Sequence, residues 1–341
     1  MASPTLPLFQ DPRITANNFA NLNGQTYHYI LGEPSTPTPT PKATIFLIHG
    51  WPDLSTGWRF QIPTLLSHDL RVIALDMMGY GQTAAPTAPP ASLHLYGFKR
   101  AADDIAELAR QLGCSSIMLG GHDWGGAVVY RVAQWYPQLV AALFSVCTPY
   151  FPLASSYVST QEVVRAVPQF AYQLHLASGE LERRLTTKGE IRGFLNAMYG
   201  GRSQTGEVAF DPFKGVDFEV LERVEKTKLV GDDVLDYYAD QFARNGLHGP
   251  CNWYRTREAN FKDEQSLERP STIQCPVLFI LATKDNVLTR DTARGIEKNI
   301  PNLTQREVDA SHWALWQTPA EVNGHIQDWL ENVVFGDKSR L

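Results

Sequence analysis

Along the first 150 residues, short apolar runs alternate with stretches whose apolar positions recur at helical spacing. ATIFLIHG (43–50), LRVIALD (70–76) and SSIMLGG (115–121) are continuous apolar segments bounded by turn residues. Such runs suit strands of a parallel sheet buried on both faces. Between the last two, FKRAADDIAELARQLG reads as a helix that stops at Gly113. AALFSVCTPY predicts one more strand, and PVLFILATKD (276–285) resumes the pattern late. LTQREVD predicts a last strand and HIQDWLENVV a closing helix. The alternation predicts an α/β fold, a mostly parallel sheet with helices on both faces. Residues 153–265 differ: they are helical in pattern and rich in aromatic residues, with FAYQLHLASGELERRL and DDVLDYYADQFARNG as the best helices. The expected organisation is a core of residues 1–152 and 266–341 carrying an all-helical cap, 153–265, between two core strands. PSTPTPTPK and APTAPPAS read as Pro-rich surface loops.

Composition narrows the class. The 341 residues, 43% of them hydrophobic, can bury a sizeable core. The net charge of −6 comes without a basic stripe, which argues against a nucleic-acid partner. Four cysteines (114, 147, 251 and 275) lack metal-ligand spacing, so no metal is expected and free thiols in a reducing compartment are. The start, MASPTLPLFQDPR, has neither the basic nor the apolar region of a secretion signal, and no apolar run approaches the roughly 18 residues of a membrane span. These features predict an intracellular, soluble protein.

The chemistry centres on GGHDWGGAVVY (120–130), which follows a predicted strand and opens a helical run. That is the context of a nucleophile elbow, whose usual form is G-x-S-x-G, with Asp123 in the serine place. Asp123 as a mere turn former is the alternative, since Asp tolerates strained backbone. HGWPD (49–53), after the strand ATIFLI, occupies the loop that gives such a site its second oxyanion donor, so Trp51 and Trp124 N–H groups are the candidates. Of nine histidines, His312 in VDASHWALWQTP stands in the chain order nucleophile, acid, base. Asp285, at the end of PVLFILATKD, is the acid expected to orient it; Asp309 and Asp76 are weaker candidates.

With HGWP, GHDWGG, KDNVL and SHW in place, the chain resembles an α/β-hydrolase-fold epoxide hydrolase of the soluble type, over nearly its whole length and without the phosphatase domain of some animal members. Those motifs are shared in outline with haloalkane dehalogenases, which also use an aspartate nucleophile. The resemblance separates the two in the cap. FAYQLHL and GPCNWYR match the settings of the two tyrosines that hold the epoxide oxygen, which places them at Tyr172 and Tyr254. It implies ring opening by Asp123, an ester, and hydrolysis by water that His312 activates, with no cofactor. The neighbouring apolar residues Phe170, Leu176, Trp253 and Phe261 point to a hydrophobic epoxide. A dehalogenase and a non-catalytic ligand receptor on the same fold are the rival readings.

The end of the chain, Ser339-Arg340-Leu341, is one conservative step from the S-K-L address. It predicts recognition by a peroxisomal import receptor, with the cytoplasm as the other location.

Overall fold

The computed structural model describes residues 6–35, 41–87, 92–269 and 271–336; the Ser339-Arg340-Leu341 tail and parts of both Pro-rich segments lie outside them. Two strands that the apolar pattern does not reveal open the sheet. Asn23 and Gly24, both at positive φ (48° and 85°), turn the chain between β1 (Ile14–Leu22) and β2 (Gln25–Gly32). The expected strands follow as β3 (Ala43–Ile48), β4 (Leu70–Leu75), β5 (Ile117–His122) and β6 (Val140–Val146). A short hairpin, β7 (Phe210–Asp211) and β8 (Gly215–Val216), precedes the closing pair β9 (Val277–Ala282) and β10 (Leu303–Val308).

Eight strands form one sheet in the order β1-β2-β4-β3-β5-β6-β9-β10, parallel from β4 to β10 and antiparallel at β1 and β2. The central strands are buried along their length, Ile45 to Ile48 fully so, as a sheet covered on both faces requires. The helices of this unit are α1 (Ile62–Ser67), α2 (Phe98–Gln111), α3 (Trp124–Trp135), α12 (Ala314–Gln317) and α13 (Pro319–Trp329). On α2 the buried residues Ala101, Ala102, Ile105, Leu108 and Ala109 recur at helical spacing and make one apolar stripe. α13 begins earlier than the sequence pattern predicts, with Pro319 in its first turn, where proline loses no helical hydrogen bond.

The chain divides into two compact units. The sheet unit comprises the described residues of Asp11–Met77, Phe98–Leu153 and Asp263–Leu341; the helical unit comprises those of Met1–Gln10, Met78–Gly97 and Ala154–Lys262. This differs from the expected core of 1–152 and 266–341, chiefly because the described residues of Met78–Gly97 belong with the helices. The reason lies within the helical unit. A Cβ on Gly79 would fall 2.7 Å from the Cα of Gly249, so two backbones meet where only glycine fits. Trp253 Nε1 donates to Met78 O (3.0 Å), and Asn245 Nδ2 donates to Gly81 O (3.1 Å) and Thr83 O (3.2 Å).

The helical unit holds α4 (Thr160–Ala166), α5 (Tyr172–Ala177), α6 (Glu180–Arg184), α7 (Lys188–Met198), α8 (Phe218–Leu221), α9 (Asp232–Asn245) and α10 (His248–Asn252). It also holds most of α11 (Arg257–Glu264). The β7–β8 hairpin corrects the all-helical expectation. FAYQLHLASGELERRL is not one helix either, since Gly179 at φ 82° separates α5 from α6. α9 matches the predicted helix and ends before Gly246 at φ 67°. No helix among the described residues is long and apolar enough to cross a membrane.

Candidate active site

β5 runs straight into α3 through a single residue, Asp123, at φ 54° and ψ −125°. A non-glycine residue held there stores on the order of 1–3 kcal/mol, which the surroundings must offset. They do so by gripping its carbonyl: Thr148 Oγ1 donates at 2.7 Å and Gly126 N at 2.9 Å. Close packing explains the glycines around it. A Cβ on Gly125 would lie 2.0 Å from Ile48 O, and one on Gly50 would lie 2.3 Å from the Cβ of Asp123. β3, the loop after it and the elbow are therefore locked backbone to backbone, and the Asp123 side chain projects beyond the strand end.

That side chain meets the partners predicted for it. Trp51 N–H donates to Asp123 Oδ1 at 2.7 Å, and the N–H of Trp124 reaches the same carboxylate. The Trp51–Pro52 peptide is cis. His312 Nε2 lies 3.6 Å from Asp123 Oδ2, while its Nδ1 donates to Asp285 Oδ2 at 2.7 Å. The other Asp285 oxygen accepts from Val287 N (2.8 Å) and Leu288 N (3.0 Å), so the acid is fixed by its own loop. The rivals are engaged elsewhere. Asp309 is exposed and paired with Lys284 at 2.8 Å; Asp76 is buried against His28 Nδ1 at 2.8 Å and Ser55 N at 2.9 Å.

The electrostatics follow from this crowding. Burial raises Asp123 above the usual carboxylate range, against the opposing pull of His312 and the two N–H groups. Burial works on Asp285 in the same direction, yet His312 and the loop N–H groups outweigh it and hold Asp285 low. Burial would keep the His312 ring neutral, but Asp285, then Asp123 and Asp53, raise it to about 9.

Three residues near the triad have no assigned role in the sequence reading. His122 Nε2 donates to His312 O at 2.8 Å, and Cys147 Sγ approaches the same carbonyl at 3.4 Å. The His122 ring lies 4.9 Å from that of His312, tilted at 42°; burial and the neighbouring His312 charge lower it to about 3, which keeps it neutral. Burial, then Asp285 and Asp123, raise the Cys147 thiol well above its ordinary range. Among the described residues, the ligand atoms of His122, Cys147 and His312 lie within 4.8 Å of one another. A protonated thiol and an imidazole N–H that both donate to one carbonyl are spent as hydrogen-bond donors, not arranged as metal ligands. Asp53 is the third, a buried acid inside HGWPD whose charge acts on His312. The signal for His122 and Asp53 was their place inside GHDWGG and HGWPD, and Cys147 had none; all three act on His312, which for His122 lies 190 residues away in the chain and for Cys147 165.

Tyr172 and Tyr254 come together within the helical unit, both buried, with ring centroids 5.8 Å apart at 75°. Tyr172 opens α5, its ring edge-on to Phe210 at 5.4 Å; Tyr254 sits in a single 3₁₀ turn, Trp253–Arg255. Leu176 is fully buried, Trp253 is buried with its indole N–H on Met78 O, and Phe170 and Phe261 are half-buried. Tyr157 is exposed, whereas Tyr238 packs edge-on against Tyr199 at 5.7 Å.

A parallel sheet with an acid at the elbow, a histidine beyond the last strand and a second acid between them defines an enzyme of the α/β-hydrolase class. The family description "alpha/beta hydrolase fold" matches residues 43–319. Epoxide hydrolase srdG of Neurospora crassa is 40% identical over 96% of this chain and 99% of its own length. Bifunctional epoxide hydrolase 2 of Mus musculus is 32% identical over 84% of this chain, which spans 51% of that longer protein. Among solved structures, Epoxide Hydrolase A from Mycobacterium thermoresistibile superposes with a TM-score of 0.78 at 27% identity, covering 92% of this chain and 97% of that one. The chain belongs to the α/β-hydrolase fold family, among its epoxide hydrolases.

Proposed function

We propose that the protein converts a hydrophobic epoxide to a vicinal diol through an ester on Asp123. The observation that carries this reading is a carboxylate in the nucleophile's seat, with Oδ1 2.7 Å from Trp51 N and Oδ2 3.6 Å from His312 Nε2. A carboxylate opens an epoxide by displacement: its bond to a ring carbon forms as that carbon's bond to oxygen breaks. The oxygen leaves as an alkoxide, and Tyr172 and Tyr254 receive it, one of them giving up its proton. A tyrosine pair suits an alkoxide, which takes a proton; a departing halide takes none. The apolar set Phe170, Leu176 and Trp253 beside the tyrosines favours a hydrophobic substrate.

The charges around His312 then order the two steps. Ester formation removes the Asp123 charge, one of the three that raise the imidazole. The ring sheds its proton, which restores the tyrosine through solvent, and becomes a base. It takes a proton from the water that attacks the Asp123 carboxyl carbon, while the N–H groups of Trp51 and Trp124 hold the oxyanion. Collapse breaks the ester bond, the diol oxygen takes the proton back, and the remaining carboxyl proton returns to His312. A serine ether could not be hydrolysed by that route.

The test is to mix the base variant His312→Gln with styrene oxide and weigh the protein. The expected result is a mass increase of one substrate, mapped to the peptide that contains Asp123. In single turnover with labelled water, the first wild-type diol should carry an unlabelled oxygen from Asp123. An adduct on another residue, or full label in that first diol, would overturn the mechanism. Turnover of a haloalkane in place of the epoxide would favour the dehalogenase reading.

A further inference from the structure

One guanidinium joins the two tyrosine-bearing segments of the helical unit. Arg255, next in sequence to Tyr254, directs Nε to Ala177 O at 2.9 Å. Ala177 is the last residue of α5, the helix that Tyr172 begins. The other two Arg255 nitrogens go to Asn252 Oδ1 (2.6 Å) and Glu182 Oε2 (2.9 Å). Glu182 is held in turn by His248, whose Nδ1 donates to Oε1 at 2.9 Å. The side chains of Arg255 and Glu182 are only 13% and 17% exposed, and Asn252 is fully buried.

A buried ion pair seldom stabilises a fold more than apolar side chains of the same volume would, so its contribution is sought in geometry. The planar fork of arginine fixes three acceptors in one plane, which a lysine cannot do. Here those acceptors lie on the end of the Tyr172 helix, on the helix that leads into the Tyr254 turn, and on α6. Movement of either segment would break at least one of the bonds.

We propose that Arg255 and Glu182 are positioning residues that set the spacing and angle of the Tyr172–Tyr254 pair, and so control ring opening without touching substrate. This rests on the reading of the two tyrosines as donors to the epoxide oxygen. Their rings, 5.8 Å apart, are held on the Tyr172 side by Tyr172 N to Pro212 O (3.0 Å) and the Phe210 edge, and on the Tyr254 side by the Arg255 brace.

Ester formation and ester hydrolysis can be timed separately with styrene oxide, from tryptophan fluorescence and quenched-flow mass spectrometry. Glu182→Gln and Arg255→Met should each slow ester formation by about 10- to 100-fold, the scale of a misplacement near 1 Å, and leave ester hydrolysis within about twofold. Arg255→Lys should fall between them and the wild type, because it restores the charge and not the fork. In the Tyr254→Phe background, Arg255→Met should add little, since both changes act on one hydroxyl. Equal losses in both steps, or effects that multiply in the double variant, would overturn the proposal. If Tyr172→Phe and Tyr254→Phe leave ester formation at the wild-type rate, the donor reading falls and the brace with it. If they slow it and Glu182→Gln does not, the brace alone falls. Should Arg255→Met not fold, the uncharged isostere Glu182→Gln carries the test.

Discussion

Asp285 and His312 form the shortest link in the triad: Oδ2 of the acid lies 2.7 Å from Nδ1 of the imidazole, while the opposite nitrogen stands 3.6 Å from Asp123. Because two backbone N–H groups fix the other Asp285 oxygen, the acid has one orientation in which to hold the ring. Asp285→Asn keeps the shape, but its amide offers an N–H where the ring needs an acceptor, which favours the wrong tautomer. By analogy with triad acids elsewhere, hydrolysis of the Asp123 ester should slow by about 10⁴-fold, with ring opening much less affected. Accumulation of the ester in single turnover is the measurement that checks this.

The same pairing couples stability to pH. The folded protein raises His312 to about 9 from an ordinary value of 6.5, so it binds that proton more tightly than the unfolded chain does. The resulting stabilisation is complete below the unfolded value and is lost as pH rises through the folded one. His312→Gln lacks the group. The melting temperature of the wild type relative to that variant should be highest near pH 6 and should decline steadily towards pH ~9.5. A difference that stays flat across this range would contradict the raised value.

Gly125 and Gly113 make a matched pair for the locked elbow. A methyl group on Gly125 would fall 2.0 Å from the carbonyl oxygen of Ile48, so β3 or α3 must move. Gly125→Ala should cost about 3 kcal/mol or more, the upper end of overpacking. Gly113, by contrast, has a left-handed backbone, φ 72°, and a methyl group there meets nothing within 4 Å. Gly113→Ala should cost only about 1–2 kcal/mol, from conformation alone. Chemical denaturation of the two variants compares these values directly.

What the sequence made legible follows from how locally each feature is determined. β3, β4, β5, β6 and β9 are continuous apolar runs, and burial on both faces demands that pattern. β1 alternates half-buried and exposed residues, ITANNFANL, with a register shift between Thr15 and Asn18, so it looks like loop. The Asn-Gly pair at 23–24 was its readable mark. Asp123 was legible because the glycines around it must be where they are for backbones to touch. The convergence of His122 and Cys147 on His312 O was not, since it requires β9 and β10 to be added to the sheet beyond β6. Nor was the place of the described residues of Met78–Gly97, which depends on two glycines 170 positions apart.

The pairing of β6 with β9 also bears on how the protein is made. Leu143 of β6 lies opposite Val277 of β9, 134 positions later, and all of β6 except Ala141 is buried or nearly so in the finished sheet. At about 5–20 residues per second, the ribosome takes on the order of ten seconds to deliver that partner. During this interval the growing chain presents an apolar strand with an open hydrogen-bonding edge, the kind of surface on which nascent chains aggregate. Insertion of the helical unit at this point therefore makes β6 the segment of the nascent protein that chaperones have most reason to shield.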